Sequence, residues 1–145
     1  MNRSAELRDL SDDHHTAWVL ALHARRAAAS GDPDAVANAW AAIDRDCPQS
    51  LEPHFAIEER WLAPPLAAAG ETALSARMRA DHDAIRAYAR SGGDRSPEAL
   101  GSFAARLAAH VRFEERELFP TAERRRSPWE LAAIARACGE QRAGA

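Results

Sequence analysis

The chain has no lysine: all 19 of its basic residues are arginine, set against 22 acidic residues for a net charge of −3. The arginines are spread along the sequence, which argues against a nucleic-acid surface. Arg124-Arg125-Arg126 is the one basic run and reads as a solvated stretch after a helix. Aromatic residues make up only 6% of the chain, and no segment alternates with the two-residue period of a strand. The two cysteines, Cys47 and Cys138, share no disulfide or metal-site spacing and read as free intracellular thiols. No apolar run reaches signal-peptide or membrane length, so the expectation is a cytoplasmic protein without a membrane partner. His-Glu-x-x-His is absent, which excludes a zincin protease, and so is the Glu-x-x-His of ferritin-like di-iron bundles.

What the chain does have is alanine and helical periodicity. Its 145 residues, 46% of them hydrophobic, suit one domain spanning 1–145 with a real core. Ser11 or Asp12 can cap a first helix reaching about Ser30. On it, His15 is followed at helical spacing by Trp18, Val19 and Leu22, so His15 is expected to face inward and His14 to flank it. Trp18, Trp40 and Trp61 are expected in the core or a pocket wall. Gly31-Asp32-Pro33 reads as a stop and a fresh start. A second stripe runs Val36, Trp40, Ile43, Cys47, Leu51, His54, Glu58, Trp61. Pro48 and Pro53 should kink it, and Pro64-Pro65 with Gly70 should close it. The third stripe is Leu74, Met78, His82, Ile85, Ala89, followed by a loop at Ser91-Gly92-Gly93-Asp94. Ser96-Pro97 opens the fourth, which runs Leu100, Phe103, Leu107, His110, Glu114, Leu118. Ser127 and Glu130 have capping-box spacing and start a short fifth helix over about 128–138. The fold expected is all-α, an up-down-up-down four-helix bundle with a short C-terminal fifth helix, its core at about 10–120.

One motif occurs twice. His54-Phe55-Ala56-Ile57-Glu58-Glu59 returns as His110-Val111-Arg112-Phe113-Glu114-Glu115, and each copy continues into Arg, Leu and Pro. A histidine and a carboxylate four residues apart lie about 40° apart around a helix, one above the other. Two such helices face to face put two imidazoles and two carboxylates in one buried space, where a pair of metal ions is the simplest neutraliser. A single histidine on an apolar face is ordinarily a hydrogen-bonded core residue. Here His15, His54, His82 and His110 fall one per helix, and the repeated pair adds Glu58 and Glu114, which together point to metal. Glu59 and Glu115 sit about 140° round from their histidines and are expected to face solvent, with Glu115 kept as a further candidate ligand because a local bulge could turn it inward. Imidazole and carboxylate without thiolate suit iron or manganese better than structural zinc.

Taken together, Asp13-His14-His15, the two His-x-x-x-Glu-Glu copies, Asp81-His82 and Leu118-Phe119-Pro120 resemble the hemerythrin-like, HHE cation-binding family, over Leu10 to Pro120. The resemblance implies two non-haem iron ions, oxo- or hydroxo-bridged, inside the bundle, with Glu58 and Glu114 bridging them. Oxygen carriers of this family have five histidines. By the resemblance, position 78 should hold the first of two histidines on the third helix, where this chain has Met78. Four histidines and two carboxylates are the set of the family's iron-repair and iron-sensing branches, which argues against simple reversible oxygen carriage. The function this implies is binding or sensing a small molecule such as oxygen, nitric oxide or peroxide. The alternatives are an iron-handling protein for storage, donation or sensing, and a di-iron oxidoreductase.

Overall fold

The computed structural model describes residues 3–90 and 92–144. Among these the regular structure is helical and contains no strand. A 3-10 turn at Ala5–Leu7 leads into a first helix, Arg8–Ala29. Ser11 and Asp12 therefore lie inside this helix and do not cap it, because the buried Leu7 and Leu10 extend the inward stripe upstream of them. Gly31, at φ +70°, ends the helix, and the Asp32 side chain accepts from the Asp34 amide at 2.9 Å to start the next one behind Pro33.

The second helical run occupies 33–68 without interruption. It contains two π turns, Cys47–Leu51 and Glu58–Leu62. Pro48 lies in the first of these, where the wider turn accommodates a residue with no N–H to donate. Pro64 and Pro65 do not close the run. They occupy the opening positions of Ala63–Ala68, just past the second π turn, where a missing N–H is tolerated. The run ends before Gly70 at φ +94°.

The third helix is Thr72–Ala89. Of the loop that follows, Gly92 takes φ +79°, and Ser91 lies outside the described residues. A fourth run covers 97–125, capped by Ser96 accepting from the Ala99 amide at 3.1 Å, with a π turn at Glu114–Leu118. Arg124 and Arg125 belong to its last turn, and Arg126 is buried, so this basic run is not a solvated tail. The fifth helix, Pro128–Ala143, carries the expected capping box at Ser127 and Glu130. It is longer than expected, because Gly139 does not end it.

The apolar residues form two clusters. Along the first and third helices, Leu10 and Met78 belong to one cluster and Ala17 and Ile85 to the other, with a buried histidine between. Along the second and fourth runs the order is reversed, from Leu51 and Leu107 to Leu62 and Leu118. A polar layer is thus held between two dry ends of the core. The first helix packs along the fourth run and against the second, and the third helix packs on both runs. No helix among the described residues is long and apolar enough to cross a membrane.

Candidate metal centre

Six side chains meet in the polar layer: His14, His54, Glu58, His82, His110 and Glu114, all buried. They form two overlapping groups, His14-His54-Glu58-Glu114 and Glu58-His82-His110-Glu114, each able to offer ligand atoms within 4.8 Å of one another. Both carboxylates belong to both groups. His54 Nε2 lies 3.1 Å from Glu58 Oε1, His110 Nε2 lies 3.1 Å from Glu114 Oε1, and His82 Nε2 lies 3.3 Å from Glu58 Oε1.

The sequence expectation needs one correction. His14 is in the cluster and His15 is exposed. The inward stripe of the first helix is Leu10, His14, Ala17, Ala21 and Ala24, while Trp18 and Val19 are 42% and 50% exposed. Alanines let this helix come close to the fourth run, so the bulkier residues that suggested the His15 register lie outside. Trp18 is therefore not part of the core, whereas Trp40 is. The signal that finds His14 is the dipeptide Asp13-His14, matched by Asp81-His82 on the third helix.

Those aspartates have a role that the spacing did not reveal. His54 Nδ1 donates to Asp13 Oδ2 at 3.0 Å, and His110 Nδ1 donates to Asp81 Oδ2 at 3.1 Å. A carboxylate only accepts, so Nδ1 carries the proton and each Nε2 is left turned into the site. His14 is held in the same way by Glu115 Oε1 at 2.8 Å. Glu115 also takes hydrogen bonds from Ser11 and Arg3, so it is an inward-turned orienting residue and not a solvent-facing one. Its counterpart Glu59 lies 3.7 Å from His82 Nδ1 and is held by Arg86 at 2.6 Å. Buried ligands with hydrogen-bonded far nitrogens are the usual construction of a metal site.

The donor set fits a metal ion on a further ground. His54 Nε2, His82 Nε2, His110 Nε2, both Glu58 oxygens and Glu114 Oε2 are buried without a well-aligned hydrogen-bond partner. Buried polar groups in folded proteins are almost always paired, and leaving one unpaired costs about 1–3 kcal/mol. Six such atoms within the two overlapping groups are accounted for by cations that accept their lone pairs.

Without metal, charge pairing inside the protein takes over. Burial alone would lower His54, but Glu58, Asp13 and Glu114 outweigh it and hold its pKa well above the usual value. Burial is likewise overcome at His110, which Glu114 and Asp81 raise to about 10, and at His14, raised by Glu114 and Glu115. Burial would raise Glu114, yet His110, His14 and His54 hold it well below the usual range; Glu115, similarly opposed by burial, falls to about 2 beside His14. The raised imidazoles stabilise the metal-free fold fully below their ordinary 6.5, and this contribution is lost as pH rises toward about 10. The depressed carboxyl of Glu115 stabilises above its ordinary 4.5, and that is lost as pH falls toward about 2. Thermal melts of metal-free protein are therefore expected to be highest between these ordinary values and to decline on the alkaline side. Metal-loaded protein should lack the alkaline decline, because its imidazoles are already neutral. Identical alkaline profiles with and without metal would contradict this charge assignment.

A cavity of about 170 Å³ reaches the centre, lined by His14, His54, His110 and Glu114 together with Gln141 and Arg142 of the fifth helix. It has room for a few water-sized molecules and is smaller than pockets that take organic ligands, roughly 300–1,000 Å³. His82 lies away from it, stacked on Phe55 with ring centroids 3.9 Å apart. Cys138 also lines it, but burial pushes that thiol up to about 11, away from nucleophilic use.

No curated protein and no solved structure matches the chain significantly. A family model described as Hemerythrin HHE cation binding domain matches residues 6–122, which takes in all six converging side chains and the four carboxylates around them. The chain belongs to the hemerythrin HHE cation-binding domain family.

Proposed function

We propose that this chain is a non-haem di-iron protein that binds or senses oxygen or a related small oxidant, such as nitric oxide or peroxide. His14 and His54 serve one ion, His82 and His110 the other, and Glu58 and Glu114 are shared. The four long helical segments form an up-down-up-down bundle around them. The alternating order in which successive helices enter the two apolar clusters supports that arrangement. The observation carrying the metal reading is the convergence of unpartnered buried nitrogen and oxygen atoms. Iron bound there supplies one-electron redox chemistry and open coordination positions for small ligands. The protein's own part is to hold the Nε2 of His14, His54 and His110 inward, to keep organic molecules out by the narrow cavity, and to dock the fifth helix across its wall.

Absorption spectra of iron-loaded protein, taken anaerobically and after separate additions of oxygen, nitric oxide and peroxide, test this reading. A band that changes with at least one of the three is the expected result. A spectrum indifferent to all three would remove the small-molecule function.

One feature favours an iron-handling role instead. Met78 is fully buried in the apolar cluster, where a thioether packs and is a poor ligand for this iron. Each ion then has two histidines, a leaner set than the five-histidine carriers. Ready loss of iron to a chelator, with no spectral response to oxidants, would favour this second reading.

A further inference from the structure

The two halves of the centre are not held in the same way. The half containing His82 and His110 draws its neighbouring carboxylates from within the four long helical segments: Asp81 accepts from His110, and Glu59 stands 3.7 Å from His82 Nδ1. Its Glu59 is gripped by Arg86 of the third helix, and Asp81 has no arginine partner among the described residues. The half containing His14 and His54 is oriented by side chains from both appended ends of the chain. Glu115, the acceptor for His14, takes a hydrogen bond at 2.8 Å from Arg3, before the first helix. Asp13, the acceptor for His54, has its other oxygen 3.5 Å from Nη2 of Arg142, near the end of the fifth helix. Arg142 is itself placed by Asp9, whose Oδ1 accepts from Nη1 at 2.7 Å.

We propose that Arg142 is a positioning residue for the metal centre, acting through Asp13 on His54, so that docking of the fifth helix sets the metal affinity of the His14/His54 position alone. The His54 imidazole is aimed by the carboxylate of Asp13, and a carboxylate with one oxygen on the imidazole is free to swivel unless its other oxygen is also held. Arg142 holds it. Removing a group that orients a ligand directly typically weakens a metal site about 10–100-fold. Arg142 acts one residue further out and is half exposed, so the effect expected of Arg142→Ala is about fivefold, the upper range for an exposed ion pair. Arg142→Glu places a third carboxylate beside Asp9 and Asp13, and about tenfold is expected. Arg142→Lys restores a cation and should recover most of the loss.

This inference rests on the two-metal reading, and one titration separates the two. Metal-free full-length protein is titrated with Co(II), followed by its visible absorption, for the wild type, the three Arg142 variants and His14→Ala. His14→Ala identifies which binding step belongs to the His14/His54 position. Arg142→Glu is expected to weaken that step and to leave the other within twofold. Equal weakening of both steps would make the fifth helix a general support of the fold. No weakening, or weakening of the step that survives in His14→Ala, would equally overturn the proposal. Circular dichroism of each variant confirms that it is folded, and a variant that is unfolded counts as general support of the fold. A wild type taking up fewer than two Co(II) would instead overturn the metal reading itself.

Discussion

Replacing Glu114 by glutamine is expected to abolish loading at both metal positions, not at one. Glu114 belongs to both ligand groups, and glutamine keeps its volume while removing the charge. Its carboxylate is also the partner of His14, and it lies 3.1 Å from His110 Nε2. In the metal-free protein the variant leaves buried imidazolium groups uncompensated. Removing one member of a buried ion pair costs about 3–5 kcal/mol, so a large fall in melting temperature is expected near neutral pH. The fall should shrink at alkaline pH, as the imidazoles lose their protons. Glu58→Gln should abolish loading in the same way. Retention of one tightly held ion in either variant would show that the carboxylates are not shared.

The second large effect separates neighbours. His14→Ala is expected to weaken one metal position by at least about a hundredfold, more than loss of a residue that merely orients a ligand. His15→Ala should leave loading unchanged and alter stability by no more than about 0.5 kcal/mol, as for other exposed positions. Metal content after dialysis distinguishes the two. An emptied site in His15→Ala would mean that the first helix is turned by one residue from the structure described.

Much of the architecture was written in the periodicity. The stripe of the fourth segment is buried throughout, those of the second and third are buried except for the partly buried Cys47, Trp61, Leu74 and Ala89, and the duplicated His-x-x-x-Glu brings its four residues together. Three things were not legible, or stood only as an alternative, each for a physical reason. The first helix faces inward with alanine, so a reading that weights apolar bulk chooses the wrong side and hence His15. Glu115 sits at a geometric angle that points outward on a regular helix, and the π turn at Glu114–Leu118 accompanies its turn toward His14. The part played by Asp13, Asp81 and the fifth helix depends on contacts between distant segments, such as Arg142 with Asp9, which no local pattern encodes.

The duplication explains the logic of the site. Each Asp-His dipeptide supplies one histidine of the buried cluster and one carboxylate that aims the histidine of a different segment: Asp13 serves His54, and Asp81 serves His110. Each Glu-Glu pair does the converse, with Glu58 and Glu114 facing the centre while Glu59 and Glu115 approach His82 and His14 from behind. Two copies of the same device meet face to face, and the departures from symmetry are the arginines that hold the outer carboxylates.

The most direct test of the paired centre is anaerobic titration of metal-free protein with ferrous iron, followed by quantification of bound metal per chain. Uptake of two ions per chain, accompanied by proton release at neutral pH from His14, His54 and His110, is the result predicted. One ion per chain at saturation, or a single closed zinc that iron does not displace, would contradict it.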